Sequence, residues 1–293
     1  MNNTTGTIIK AISGFYYVAV GDKVFECKAR GSFRQSKISP IVGDRVSILL
    51  LSQNSGVVES VLPRKNCLSR PAIANIDKLI IVSSYKNPSP DLYMIDRLTA
   101  IAVFNGIMPV IVFNKSDTGD FSELERIYKN AGLKTYVVSA KHLDSLSELK
   151  HEFENCVCAM AGNSGVGKSS LLNSLFGNLN LKTGDVSIAL GRGKHTTRHT
   201  QLFSVSSGGF VADTAGFSSI DQVNNQLEFK KNLPNCFTDF LPYLDLCKFT
   251  SCRHICEKGC GLIAAVECGN VEKTRHQSYM RMADELKSIN SWK

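Results

Sequence analysis

No apolar run in this 293-residue chain comes near the ~18 residues that a bilayer-spanning helix needs. The opening stretch, MNNTTGTIIKAISG, lacks a basic segment followed by a long apolar one, so no secretory leader is read from it. These two gaps leave no helical membrane anchor in view and point to a cytoplasmic protein. Internal repeats and low-complexity tracts are missing as well, which removes solenoids and tail-like segments from the candidate architectures. Acidic residues are the scarcer charge: 26 Asp/Glu stand against 34 Lys/Arg, a net +8. The shortage is sharpest at the start, where residues 1–66 hold nine Lys/Arg and four Asp/Glu. Such a stretch is either a solvated basic face or a surface for a phosphate-rich partner such as nucleic acid.

What is present suits a soluble globular chain, with 43% hydrophobic and 20% charged residues, ample for a core. Its rhythm divides it into three. In residues 1–66 the runs GTIIKAI, FYYVAV, KVFECKA, DRVSILL and SGVVESVL are short, β-branched and aromatic, and turn residues separate them. Five such strands predict a small barrel of the OB type, although an SH3-like barrel would read much the same. Residues 67–220 alternate strands (KLIIVSS, PVIVFNKSD, TYVVSAK, CVCAM, TQLFSVS, GGFVADTAG) with helices (DLYMIDRLTAIAVFNG, SELERIYKNAG, SSLLNSLF). That alternation predicts a mostly parallel sheet with helices on both faces and chemistry at the carboxyl ends of its strands. In residues 221–293 the strand patterns stop, and a helix containing RHQSYMRMADELKSI is expected near the end.

Ten cysteines in a chain of this size, with no leader, do not read as a disulfide framework. Cys27, Cys67, Cys156 and Cys158 read as small apolar fillers or bystanders. By contrast Cys247, Cys252, Cys256 and Cys260 crowd together around His254, a grouping that favours a metal. Cys247-x4-Cys252-x-His254-x5-Cys260 offers three thiolates and an imidazole, a common structural zinc set with no open position for catalysis. Spacing alone leaves Cys256 as a competing ligand. His142, His151 and His276 read as surface residues.

The strand CVCAM runs into Gly162-Asn163-Ser164-Gly165-Val166-Gly167-Lys168-Ser169, and Ser170 continues into a helix, the setting a P-loop requires. Its glycines let backbone N–H groups turn onto phosphates. Lys168 is expected on the β- and γ-phosphates and Ser169 on Mg2+. Downstream, DTAG (213–216) ends another strand, so Asp213 fits an Mg2+-organising carboxylate and Gly216 an amide that senses the γ-phosphate. Between them GRGKHTTRHT (191–200) is glycine-rich, basic and hydroxylated. Thr196 or Thr197 from it could complete the Mg2+ shell, with Thr197 preferred.

A phosphate loop cannot tell GTP from ATP, but NKSD (114–117) can. Asp117 would accept from guanine N1–H and the N2 amine, a pair that adenine lacks. Asn114 would bridge loops near the base, the Lys115 stem would cover a ring face, and Ser139-Ala140-Lys141 would present the Ala140 N–H to O6. The chain order is therefore base reader, base support, phosphate loop, switch one, switch two, whereas Ras-like enzymes begin with the phosphate loop. Loops at strand ends converge in space, so joining the usual termini and reopening the chain elsewhere preserves the site. A circularly permuted GTPase domain is the expectation.

The stretches PIVGDRV, LPRKNCLSRP, GNSGVGKSSLLN, GRGKHTTRHT, DTAGF and CKFTSCRHICEKGC together resemble the RsgA family, over essentially the whole chain. The resemblance implies an α/β, circularly permuted GTPase between an OB-type barrel and a zinc-binding helical module. It implies a cytoplasmic enzyme that hydrolyses GTP to GDP and binds the small ribosomal subunit and its rRNA late in maturation, expected here as a monomer. It also favours Cys247, Cys252, His254 and Cys260 as the zinc ligands, though Lys258 stands where relatives often carry proline. Ras-like enzymes position the attacking water with a glutamine after the D-x-x-G glycine, but that position here is Phe217. The family pattern has a histidine before its threonines, which makes His195 the internal candidate for that task. The alternative is a solvent-facing His195 and a water ordered by the partner. Two other uses of these motifs are a nucleic-acid-binding module that retains a nucleotide and a GTP-driven metal chaperone.

Overall fold

Five short runs at the start of the chain become strands because alternate residues are apolar and can share one interior. They are β1 (Asn3–Ile12), β2 (Phe15–Val20), β3 (Lys23–Ala29), β4 (Arg45–Leu50) and β5 (Ser55–Val61). The computed structural model of the chain describes residues 3–34, 39–69, 71–177, 179, 200–213, 223 and 225–289. The five strands pair in the order β1-β2-β3-β5-β4, β4 returns to β1, and β3 runs parallel to β5. This closed five-stranded order is that of an OB barrel, which separates it from the SH3-like alternative. Ile8, Val18, Phe25, Cys27, Val46, Ile48 and Val58 fill its interior.

A buried charge ties the barrel to residues 62–74. Asp44 is fully buried and accepts from Arg64 Nε at 2.6 Å, Arg64 Nη2 at 2.8 Å and the Ile41 N–H at 2.8 Å. Its neighbour Gly43 (φ 87°) lies so close to a hairpin, β6 (Cys67–Ser69) and β7 (Ala72–Ala74), that a Cβ would sit 2.1 Å from Ala74 O. Only glycine combines that φ with that approach.

Six further strands form the second sheet segment: β8 (Lys78–Ser84), β9 (Met108–Asn114), β10 (Lys134–Val137), β11 (Val157–Ala161), β12 (Gln201–Ser204) and β13 (Phe210–Asp213). Their order is β10-β9-β8-β11-β13-β12, parallel except for the edge strand β12. Alternate residues supply the two faces. Leu79, Ile81, Ile111 and Phe113 pack with α1 (Leu92–Phe104) and α2 (Ser122–Asn130), while Ile80, Val82, Val110 and Val112 pack with α3 (Ser147–His151) and α4 (Lys168–Phe176). The chain order steps outward to either side of the parallel β8/β11 pair, which makes a crevice at the carboxyl ends of the strands. Lys10 of β1 pairs with Gln201 of β12, so barrel and sheet are hydrogen-bonded into one eleven-stranded surface.

Beyond β13 the described residues are helical or irregular: α5 (Gln226–Asn232), α6 (Leu241–Leu244), α7 (Gly261–Glu267) and α8 (Lys273–Glu285). Helix α8 lies on α1, and a buried charge joins them. Arg275 is 1% exposed; its Nη1 donates to Asp96 on α1 at 2.7 Å and its Nη2 to Asp239 at 2.6 Å. The guanidinium also stacks over Phe237, 5.0 Å from the ring centre. His142 and His151 are exposed, but His276, read from the sequence as a surface residue, is buried at 7% exposure. It points from α8 into the module, where its Nε2 donates a hydrogen bond to the His254 carbonyl, and a sequence pattern does not show that partner.

Candidate functional site

The loop after β11 is shaped by three glycines in left-handed or related conformations, Gly162 (φ 127°), Gly165 (φ 81°) and Gly167 (φ 91°). A Cβ on Gly162 would lie 2.1 Å from Val82 O, and one on Gly167 would lie 2.5 Å from Asn114 Nδ2. The loop is thus pressed between β8 and the end of β9. Lys168 opens α4, and its Nζ turns back over the loop to donate to Gly162 O at 2.7 Å and Asn163 O at 2.8 Å. Ser164 is exposed on the loop, buried Val166 anchors it, and Ser169 and Ser170 follow in the first turn of α4. The amino end of that helix faces the loop and presents N–H groups that its own turn cannot satisfy.

Asn114, the last residue of β9, is 1% exposed and ties two loops together. Its Nδ2 donates to Val166 O at 3.0 Å and to Gly167 O at 3.5 Å, while its Oδ1 accepts the Ala140 N–H at 3.1 Å. Lys115 adopts the left-handed region (φ 63°), which sends its stem over the 162–169 loop. There Nζ donates to Gly165 O at 2.7 Å and Asn87 O at 2.8 Å. Asp117 faces the loop after β10. It accepts from Lys141 Nζ at 2.7 Å and Ser139 Oγ at 2.9 Å. The Lys141 ammonium, then the Ser139 hydroxyl, hold its carboxyl below the usual carboxylate range.

Three residues in this arrangement carried no flag in the sequence. Ser145 Oγ accepts the Ser139 N–H at 3.1 Å and donates to His142 O at 2.7 Å, bracing the 139–141 loop. Ser174 of α4 donates to Ala140 O at 2.7 Å, which links the helix after the 162–169 loop to the same segment. Asn87 contributes only a backbone carbonyl. Serines are too common and carbonyls too universal to mark a site in one sequence. Asp213 ends β13 beside β11, at the same edge of the sheet. His195, Thr196, Thr197, Gly216 and Phe217 lie outside the described residues.

A second cluster stands in the C-terminal module. The ligand atoms of Cys247, Cys252, His254 and Cys260 all lie within 4.8 Å of one another, a group that can hold a metal ion. His254 Nδ1 is 3.4 Å from Cys247 Sγ and 3.6 Å from Cys260 Sγ, and the two sulfurs are 3.8 Å apart. Cys256 is exposed and outside the group. The sulfurs also receive backbone donors: Gly261 N–H to Cys247 at 3.3 Å and Ile263 N–H to Cys260 at 3.5 Å. His254 takes a left-handed conformation (φ 57°), and its carbonyl accepts from His276 Nε2 at 2.7 Å. Glu257 folds the intervening loop by accepting the N–H groups of Ile255, Cys256 and Arg253. Burial pushes its carboxyl up, but these backbone donors outweigh that and bring it down to about 2.

The family model described as the RsgA GTPase matches residues 61–223, and the RsgA N-terminal domain matches residues 5–58. Among curated proteins, the small ribosomal subunit biogenesis GTPase RsgA of Geobacillus kaustophilus is 43% identical, covering 96% of this chain and 97% of its own. The protein of the same name from Bacillus cytotoxicus is 41% identical with the same coverage. Two solved structures share 34% identity: YjeQ from Thermotoga maritima, with a TM-score of 0.86 over 99% of this chain and all of that one, and YloQ, described as a circularly permuted GTPase, with a TM-score of 0.81 over 99% and 96%. No helix among the described residues is long and apolar enough to cross a membrane. With barrel, permuted sheet and Cys/His module aligned from end to end with such relatives, the chain belongs to the RsgA family of GTPases.

Proposed function

We propose that this protein is a GTP-hydrolysing assembly factor that acts late in maturation of the small ribosomal subunit, binds its rRNA and leaves after hydrolysis. The observation that carries this reading is the Asn114 bridge, which sets the phosphate loop and the 139–141 loop around one crevice. In this reading Asp117, with Lys141 and Ser139 beside it, reads guanine, Ala140 meets O6, and the Lys115 stem covers the base. The amides of residues 162–170 and Lys168 hold the phosphates. Ser169 and Asp213, at the ends of neighbouring elements, suit a Mg2+ ion, with Thr197 completing the set. When bound, Mg2+ neutralises charge that develops on the phosphate oxygens. Gly216 reports the γ-phosphate to the chain that leads into the C-terminal module. With Phe217 unable to orient water, His195 supplies that function on the bound subunit.

The Cys/His group suits zinc. A tetrahedron with Zn–S near 2.3 Å and Zn–N near 2.0 Å has edges of about 3.8 Å between sulfurs and about 3.5 Å between sulfur and nitrogen. The separations of 3.8, 3.4 and 3.6 Å fall on those edges. Four ligands leave no reactive position, so the ion's part is structural, in a module spanning residues 221–293 next to a GTPase domain of 67–220 and a barrel of 1–66. The protein acts as a cytoplasmic monomer with GTP or GDP, the small subunit and rRNA as partners. Phosphate release measured with and without purified small subunits tests the reading. Strong stimulation that His195→Ala abolishes, with GTP-dependent subunit binding retained, is expected; turnover that ignores subunits would leave a nucleotide-retaining binding module instead.

A further inference from the structure

At the opposite end of β11 from the phosphate loop, three donors converge on one carbonyl. Glu152 O lies 2.8 Å from Lys78 Nζ, 3.2 Å from Cys156 Sγ and 3.5 Å from Cys158 Sγ. The two sulfurs are 3.5 Å apart, and Lys78 is the cross-strand neighbour of Cys158 in the β8–β11 pairing. Cys158 is fully buried, whereas Cys156 is half-buried, in the bend just before the strand. The sequence alone marks these cysteines as apolar fillers. Their placement gives them different chemistry: one thiol reachable from solvent beside an ammonium, and a second thiol held directly behind it.

We propose that Cys156 and Cys158 form an oxidisable dithiol, in which Cys156 is the attacking thiol and Cys158 the resolving one, with a hydroperoxide as oxidant. The Cys156 thiolate attacks the peroxide, breaks the O–O bond and becomes a sulfenic acid, releasing hydroxide or alkoxide. The Cys158 sulfur then displaces that hydroxyl, forming the S–S bond, and its proton leaves with the oxygen as water. Two thiols are oxidised by two electrons and one peroxide bond is reduced, so the step balances. Closing the pair requires the sulfurs to move from 3.5 Å to about 2.05 Å. The Cys156 carbonyl accepts the Phe210 N–H at 2.9 Å, so closure draws on rotation of the two side chains rather than on a shift of the strand. The hydrogen bond from Cys158, with Lys78 close by, draws the Cys156 thiol below its ordinary range, and the same pairing together with burial pushes Cys158 up. That asymmetry suits an attacking and a resolving partner.

Tryptic peptide 151–168 contains both cysteines and no other, so the full-length protein tests the idea directly. The reduced protein is treated with stoichiometric hydrogen peroxide, alkylated, digested and weighed. The expected result is loss of two hydrogens from this peptide with no alkylation, ahead of oxidation at exposed Cys268. In Cys158→Ser, dimedone should label Cys156. The site lies about 13 Å along the strand from Gly162, so GDP affinity should stay within twofold on oxidation. A peptide that remains doubly alkylated while Cys268 is oxidised, or a Cys158→Ser protein without a dimedone adduct on Cys156, would overturn the proposal.

Discussion

Asn114→Ala removes the side chain that joins the 162–169 loop to the 139–141 loop across the proposed nucleotide crevice, and its cost can be worked from the contacts. Two bonds of good length are lost, to Val166 O at 3.0 Å and from Ala140 N at 3.1 Å, with a weaker third to Gly167 O at 3.5 Å. Each good bond contributes about 1 kcal/mol net, and leaving buried partners unpaired adds to that, for a total of about 2–3 kcal/mol. The strands carrying these loops are held by the sheet, so most of the loss should appear when a nucleotide must order the loops itself. That corresponds to an affinity loss of about 30- to 150-fold for both GDP and GTP. Titration with a fluorescent guanine nucleotide, beside a thermal melt that controls for folding, measures it. Asn114→Asp sharpens the test, because it keeps the acceptor for Ala140 N–H but places a carboxylate oxygen against two carbonyls. It should bind at least as poorly as the alanine variant. Affinity within threefold of the parent for either variant would refute the bridging role.

Asp117→Asn should weaken GTP binding and make xanthine nucleotide the relatively better ligand in competition assays, because the acceptor pair for N1–H and N2 is lost; equal binding of ATP and GTP by the parent would contradict the assignment. Since Lys141 and Ser139 hold the Asp117 carboxyl low, guanine affinity should be flat across neutral pH and fall only in acid, as the carboxylate takes up a proton. If the Cys/His group holds one zinc per chain, as proposed, Cys252→Ser should lose it and loosen α7 and α8, because metal binding and folding of such a module share free energy, whereas Cys256→Ser should keep the metal; elemental analysis with far-UV circular dichroism decides, and the reverse result would reassign the ligands. Glu152 is pulled down to about 2, against the burial that pushes it up, by Lys134, Lys78 and Tyr136. Its folded value lies below its unfolded one, so its contribution is full above the unfolded value and fades as pH falls from about 4.5 towards 2. Glu152→Gln should therefore cost about 2–3 kcal/mol at neutral pH and flatten the acid limb of a urea-stability profile; an unchanged acid limb would show that the ion cluster adds nothing.

What the sequence determined by itself was local in origin. Gly162 to Ser169 is legible because eight consecutive residues shape one loop, and NKSD and SAK are legible because each ends a strand-like apolar run. Chain order alone revealed the permutation, since strand ends converge whatever the connectivity. The tertiary structure decided everything that depends on backbone atoms or distant partners. Asn114 reaches Val166 across 52 positions and Arg275 reaches Asp96 across 179. Lys115 is fixed by the carbonyls of Asn87 and Gly165, groups that every residue carries and no motif can flag. Folding also buried His276 against the His254 carbonyl, left Cys256 outside the metal group and closed the first five strands in the OB order. A pattern of apolar residues specifies which face a strand buries, but two barrels with the same pattern differ only in which strands meet. That choice belongs to packing across the whole chain.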